Sequence, residues 1–183
     1  MAATESNMLP LGTKMPEFTL LDTISNSEVS SKSLNRKANL VMFICNHCPF
    51  VIHVKDELSK IGIDYKEKDV AIVAISSNDI EKYPQDGPEK MKEFAINENF
   101  SFPYLYDETQ EIAKSFLAAC TPDFYLFNEK IELVYRGQLD NSRPNNGIPV
   151  TGKDLRNAIE AVLNNELPDS NQVPSIGCNI KWK

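Results

Sequence analysis

Two uninterrupted apolar runs, Leu40–Cys45 and Val70–Ile75, constrain this chain more than any other feature. Each is six residues long. That is far short of the roughly 20 residues a membrane-spanning helix needs. A strand with one wet face would alternate apolar and polar residues; these runs do not, so they suit strands of a sheet covered on both faces. The predicted strands are Asn39–Ile44 and Val70–Ser76. Between them Phe50, Val51, Val54, Leu58 and Ile61 recur at helical spacing and mark one apolar face. The unit is strand–helix–strand, with the right-handed crossover such units adopt.

The remaining segments extend this unit. Ser77–Pro88 carries Pro84, Gly87 and Pro88 and reads as loop. Glu89–Asn99 reads as a helix with Met91, Phe94 and Ala95 inward. A second helix is expected from Asp107 as N-cap, with Gln110 three residues on and Ile112, Ala113, Phe116 and Leu117 inward. Phe124–Phe127 and Ile131–Gly137 flank Asn128-Glu129-Lys130 as an antiparallel hairpin. A last helix is expected from Thr151, with Asp154 in the capping-box position and a stripe of Leu155, Ala158, Ile159, Val162 and Leu163. Phe18–Val29 holds a small N-terminal hairpin. Pro168–Lys183 is a mostly polar tail. The fold class is therefore α/β, a mixed sheet flanked by helices. One domain is expected over residues 1–183, with a core of about 15–163 and a tail of 164–183.

Composition narrows the function classes. With 19 Lys and Arg against 26 Asp and Glu, the net charge is −7, which disfavours a nucleic-acid face. No apolar segment is long enough for a membrane anchor, and the N-terminus lacks a basic stretch followed by an apolar one. A cytoplasmic setting is expected.

The four cysteines are Cys45, Cys48, Cys120 and Cys178. Cys45-Asn46-His47-Cys48 falls where the first core strand ends and the long helix begins. A cysteine there faces the positive end of the helix dipole and free backbone amides, which favour thiolate over thiol. Two cysteines three apart can close a disulfide without long-range movement. Cys45 is expected to be the more exposed and the nucleophile, and Cys48 the resolving thiol. His47, as an imidazolium, would favour the thiolate further. A structural zinc site wants four ligands, and the other candidates are scattered, so neither metal nor cofactor is expected. Cys120 reads first as a small buried hydrophobe; the alternative makes Cys120 and Cys178 auxiliary thiols that pair if the tail folds back.

Beyond this motif, Thr121-Pro122 precedes the strand Asp123–Phe127. With Cys45-x-x-Cys48, it makes residues Met15–Leu163 resemble the thioredoxin-fold superfamily. The likeness is greatest to the peroxiredoxin-like branch of the alkyl hydroperoxide reductase/thiol-specific antioxidant group. Pro174-Ser175-Ile176-Gly177-Cys178 adds to the likeness, which is to redoxin-domain proteins. The resemblance implies a thioredoxin-like fold and a cis Pro122 beside the redox pair. Pro122 and Thr121 would help to dock the substrate chain. It implies a thiol–disulfide oxidoreductase acting on a protein or small-molecule disulfide or dithiol, with a cellular thiol reductant as partner.

Two departures bear on mechanism. Peroxiredoxins carry Pro-x-x-x-Thr/Ser-x-x-Cys. Counted back from Cys48 those places hold Val41 and Cys45; counted back from Cys45, Ala38 and Met42. The peroxide-holding hydroxyl is absent in either register, so peroxidase activity is the alternative reading rather than the first. Arg136 or Arg143 could supply a cation but are expected as surface charge. A non-catalytic or metal-binding module is the remaining alternative. Thioredoxins also bury an acid on the preceding strand. Asn39 occupies that place here and cannot accept a proton, so another group must.

Overall fold

A computed structural model describes residues 3–183. In chain order the elements begin with β1 (Ala3–Glu5), β2 (Thr19–Asp22), β3 (Glu28–Ser30), β4 (Ala38–Phe43) and α1 (Pro49–Tyr65). There follow β5 (Val70–Ser76), α2 (Pro88–Asn97), β6 (Tyr104–Tyr106), α3 (Glu111–Ser115) and β7 (Cys120–Thr121). The chain closes with β8 (Asp123–Asn128), β9 (Leu133–Gly137), α4 (Lys153–Leu163) and β10 (Ile176–Asn179).

Seven strands form the central sheet in the order β3-β2-β6-β5-β4-β8-β9. β4–β5 and β5–β6 are parallel; the other neighbours are antiparallel. The sheet is mixed and helices flank it, as the residue pattern predicts. All six residues of β4 are buried, because the strand is central and covered on both faces. Its alternate side chains split the core into two layers. Leu40, Met42 and Ile44 pack with Val51, Val54, Leu58 and Ile61 of α1 and with Leu155 and Ile159 of α4. Val41 and Phe43 face the other way, onto Phe18, Phe116, Tyr125 and Phe127. Each such side chain contributes about 1.5–3 kcal/mol by burial.

Several expected boundaries shift. The helix foreseen from Asp107 begins at Glu111, with Gln110 left-handed at φ 65° as its N-cap. Asp107 still receives the Ala113 amide at 3.0 Å, but it also takes the Ser77 hydroxyl at 2.8 Å, so it ties two loops together rather than capping. Leu117 was expected inward but is exposed, because the helix stops at Ser115. The last helix begins at Lys153, after Gly152 at φ 65°. Asp154 makes no capping box; its carboxylate accepts from Gln138 Nε2 at 2.7 Å. The cap comes from a distance: buried Asp140 accepts the Thr151 and Gly152 amides at 2.6 and 2.7 Å.

The tail departs most from expectation. β10 lies between β1 and β7 in a separate three-stranded antiparallel sheet. Leu9, Cys178 and Ile180 join the buried core, so packing extends beyond residues 15–163 at both ends.

Asp140 also accepts the Ser142 amide at 2.8 Å. Asp140→Ala would leave these amides without a partner and should cost about 3 kcal/mol. Urea unfolding reads this as a lower midpoint at unchanged slope; a loss below about 1 kcal/mol would mean that solvent replaces the cap.

Candidate functional site

Backbone chemistry builds the turn between β4 and α1. Cys48 is the N-cap in extended geometry, and Pro49 occupies the first helical position, where no amide is needed. The Ile52 amide closes on the Cys48 carbonyl at 2.9 Å. Asn46 is pinned on both sides: its Nδ2 donates to the Gln85 carbonyl at 2.8 Å and its Oδ1 accepts from the buried Tyr104 hydroxyl at 3.0 Å.

Both cysteines of the pair are buried, Cys45 at 1% and Cys48 at 0% exposure. The expectation that Cys45 would be the more exposed does not hold. β10 and the Thr121–Pro122 segment cover the turn. The Thr121–Pro122 bond is cis. Thr121 meets both thiols: its Oγ1 lies 3.3 Å from Cys45 Sγ, and its carbonyl oxygen lies 3.2 Å from Cys48 Sγ.

The two thiols differ electrostatically. Interaction with the Cys45 thiol, which can donate to a thiolate, is the largest influence on Cys48. Burial opposes it, while the Cys178 thiol and the amides of Val51 and Cys178 add to it, and the Cys48 pKa falls to about 5. Cys45 is raised by that same interaction, by burial and by the Asp86 carboxylate, against a smaller opposing effect of Thr121. The directions of the two shifts favour a thiolate at Cys48 over one at Cys45, with the Val51 amide of the helix start on the Cys48 side.

His47 and Asp86 form the polar side of the site. Asp86 is fully buried and closes a one-turn 3-10 helix, Pro84–Asp86. Its carboxylate accepts from the Asn46 amide at 2.8 Å and from Asn78 Nδ2 at 2.8 Å, and lies 2.6 Å from His47 Nδ1. The His47 ring stacks on Tyr83 at 5.3 Å between centroids. Ligand atoms of Cys45, His47 and Asp86 all lie within 4.8 Å of one another. Three ligands fall short of a structural zinc set, and the Asp86 oxygens are already engaged. The buried acid that stands near Cys45 is Asp86, from the loop rather than from the strand position of Asn39. Asn39 instead ties the start of β4 to the Arg36 and Asn128 carbonyls.

The other expected residues fall as follows. Cys178 sits opposite Thr121 in the β10–β7 ladder, and its neighbour Asn179 sits opposite Cys120. Side chains alternate along a strand, so Cys120 and Cys178 emerge on opposite faces and do not meet as a pair. Cys120 is buried and its thiol is raised, first by that burial. Arg136 spends its guanidinium on the Leu9 carbonyl and Gln172, and Arg143 spends its own on the Asp140 and Ser142 carbonyls. Asp86 carries no motif in the Ser77–Pro88 loop; its place beside His47 comes from the tertiary fold.

A mixed sheet with a cysteine pair at a strand-to-helix turn beside a cis-proline defines a thioredoxin-like redoxin domain. The chain belongs to the AhpC/TSA family, whose model matches residues 11–136. An uncharacterised conserved protein of Geobacillus kaustophilus is 55% identical with a TM-score of 0.98, covering 100% of this chain and 97% of that one. A hypothetical protein of Sinorhizobium meliloti 1021 is 44% identical with a TM-score of 0.96, covering 98% of each. The thioredoxin domain of a thiol-disulfide oxidoreductase from Bacteroides vulgatus shares the fold at 20% identity and a TM-score of 0.65, covering 85% of this chain and 99% of that one. No curated protein matches the chain. No helix among the described residues is long and apolar enough to cross a membrane. Family and fold support an oxidoreductase role in general.

Thiolate absorbance at 240 nm should titrate in the reduced protein with a midpoint near pH 5. Cys48→Ser should abolish that step. Cys45→Ala should move it upward, since the largest lowering influence is gone. A midpoint near 9 in the unaltered protein would overturn the assignment.

Proposed function

We propose that the protein is a thiol–disulfide oxidoreductase whose redox pair is Cys45 and Cys48. The observation that carries this reading is the buried pair at the helix start, with Thr121 within hydrogen-bond distance of both sulfurs and Cys48 favoured as the thiolate. The Cys48 thiolate attacks one sulfur of a substrate disulfide. The substrate S–S bond breaks, its electron pair leaves on the departing sulfur, and a Cys48–substrate mixed disulfide forms. Cys45 then loses its proton toward the Asp86–His47 pair and attacks Cys48 Sγ. The substrate leaves as a second thiol, and the pair is left as a disulfide. Run backwards, the same steps oxidise a substrate dithiol. A cytoplasmic thiol reductant would return the pair to the reduced state.

His47 bonds Asp86 rather than a thiol, so its role is to position and share charge with that carboxylate. Thr121 orients Cys45 through its hydroxyl, and Pro122 shapes the turn on which Thr121 sits. Peroxide reduction is the second reading. It is favoured by the burial of both sulfurs, which a peroxide reaches more easily than a protein disulfide does. Cys48 would then become the sulfenic acid, and Cys45 would close the disulfide with loss of water.

Oxidised glutathione separates the roles. The double variant Cys45→Ser/Cys178→Ala should accumulate a Cys48–glutathione mixed disulfide in peptide mapping, and Cys48→Ser should react at least about 100-fold more slowly, its remaining thiol being protonated. A mixed disulfide that forms readily on Cys45 in Cys48→Ser would restore the chain-order assignment. Loss of thiols to hydrogen peroxide orders of magnitude faster than free cysteine, at matched thiolate fraction, would promote the peroxidase reading.

A further inference from the structure

A third sulfur stands at the pair. Cys178 lies directly across the ladder from Thr121, and directly opposed residues project to the same face. That face is the one on which the Thr121 hydroxyl meets Cys45, while the Thr121 carbonyl meets Cys48. The thiols of Cys45, Cys48 and Cys178 thus converge around one residue and share one buried cluster. Cys120, the fourth cysteine, is on the opposite face of the ladder. Cys45 and Cys178 both act to lower the Cys48 thiol, Cys45 more strongly, so Cys48 is the sulfur whose surroundings the other two share.

The segment carrying Cys178 is tethered on every side. Ser175 Oγ donates to the Pro122 carbonyl at 2.6 Å. The Ser6 amide donates to the Ser175 carbonyl at 2.9 Å, and the Ser175 amide returns a bond to Ser6 Oγ at 3.1 Å. Beyond β10, the Lys181 amide donates to Asn78 Oδ1 at 2.9 Å, the residue that also holds Asp86. Gly177 makes the approach possible, because a Cβ there would overlap the Thr121 carbonyl.

We propose that Cys178 is a third redox thiol, which exchanges with the Cys45–Cys48 disulfide to give a Cys48–Cys178 disulfide and a free Cys45. The Cys178 sulfur attacks Cys48 Sγ, and the Cys45–Cys48 bond breaks. The electron pair stays on Cys45, which receives the proton Cys178 gives up. No electron enters or leaves; the disulfide moves from the helix turn to the tail. This rests on the redox pair proposed above. It makes the tail an intramolecular exchange partner that occupies the Thr121 edge.

Disulfide mapping of the full chain after treatment with oxidised glutathione tests it. The unaltered protein should yield both Cys45–Cys48 and Cys48–Cys178 peptides. Cys178→Ala should yield only the first, and Cys45→Ser should yield only the second. Gly177→Val, which keeps all three thiols but pushes β10 off Thr121, should lose the Cys48–Cys178 peptide and retain Cys45–Cys48. Absence of a Cys48–Cys178 peptide from both the unaltered protein and Cys45→Ser would overturn the proposal while leaving the redox pair intact. Absence of Cys45–Cys48 from the unaltered protein and from Cys178→Ala would instead overturn the redox pair itself.

Discussion

Thr121 uses its hydroxyl, its carbonyl and its strand edge at once, and each engages a different cysteine. A two-residue strand could not be held by its own ladder alone. It is set between the turn to α1 on one side and β10 on the other, and it leads through a cis peptide into β8. β8 is anchored along its length against β4, from Phe43–Asp123 to Ala38–Asn128. The central strand therefore fixes both halves of the site: its C-terminal end supplies Cys45 and Cys48, and its antiparallel neighbour supplies Thr121. Burial of β4 on both faces is what makes the spacing between them rigid.

Charge placement follows from that rigidity. Burying an anion is costly unless donors surround it. Asp86, fully buried, has the Asn46 amide, Asn78 and His47 around its carboxyl group. A second anion at Cys45, in reach of Asp86, would meet a like charge. A thiolate at Cys48 instead has a thiol neighbour on each side and amides of the helix start and of β10. The preference for a thiolate at Cys48 over one at Cys45 thus follows from where the amides and the carboxylate lie, not from which cysteine comes first.

How much of this can be read from residues alone depends on whether the cause is local. Leu40–Cys45 and Val70–Ile75 state their burial directly, because continuous apolar runs have few alternative fates. Cys45-x-x-Cys48 followed by Pro49 states its position at a helix start. Thr121-Pro122 became legible through family resemblance. β1 and β10 were not legible: Ala-Thr-Glu and Ile-Gly-Cys-Asn carry no strand period, and each is a strand only because the other lies beside it. Asp86 sits in a stretch read correctly as loop. Its importance comes from Tyr83, Asn78 and His47 meeting in space, which no spacing encodes. The cap of α4 failed for the same reason, since Asp140 reaches it from eleven residues earlier than Thr151.

The same wiring bears on the direction of electron flow. A thiolate stabilised at Cys48 stabilises the reduced pair, which shifts the pair toward the oxidising end of the scale. Closing a disulfide at Cys48 removes that stabilised charge and leaves the Val51 and Cys178 amides facing a neutral sulfur. The cost is the same whether the second sulfur belongs to Cys45 or to Cys178, because Cys48 is common to both bonds. What distinguishes the two disulfides is the thiol left over. A free Cys45 keeps its proton beside Asp86 and its contact with the Thr121 hydroxyl. A free Cys178 keeps a thiol raised by burial, and it lies on a strand held through Ser6, Asn78 and Pro122. Neither bond has an electrostatic advantage built into Cys48, so the choice between them rests on how firmly β10 is held against Thr121. That hold is made of backbone pairing and of the missing side chain at Gly177, so the proposed exchange depends on how β10 is seated.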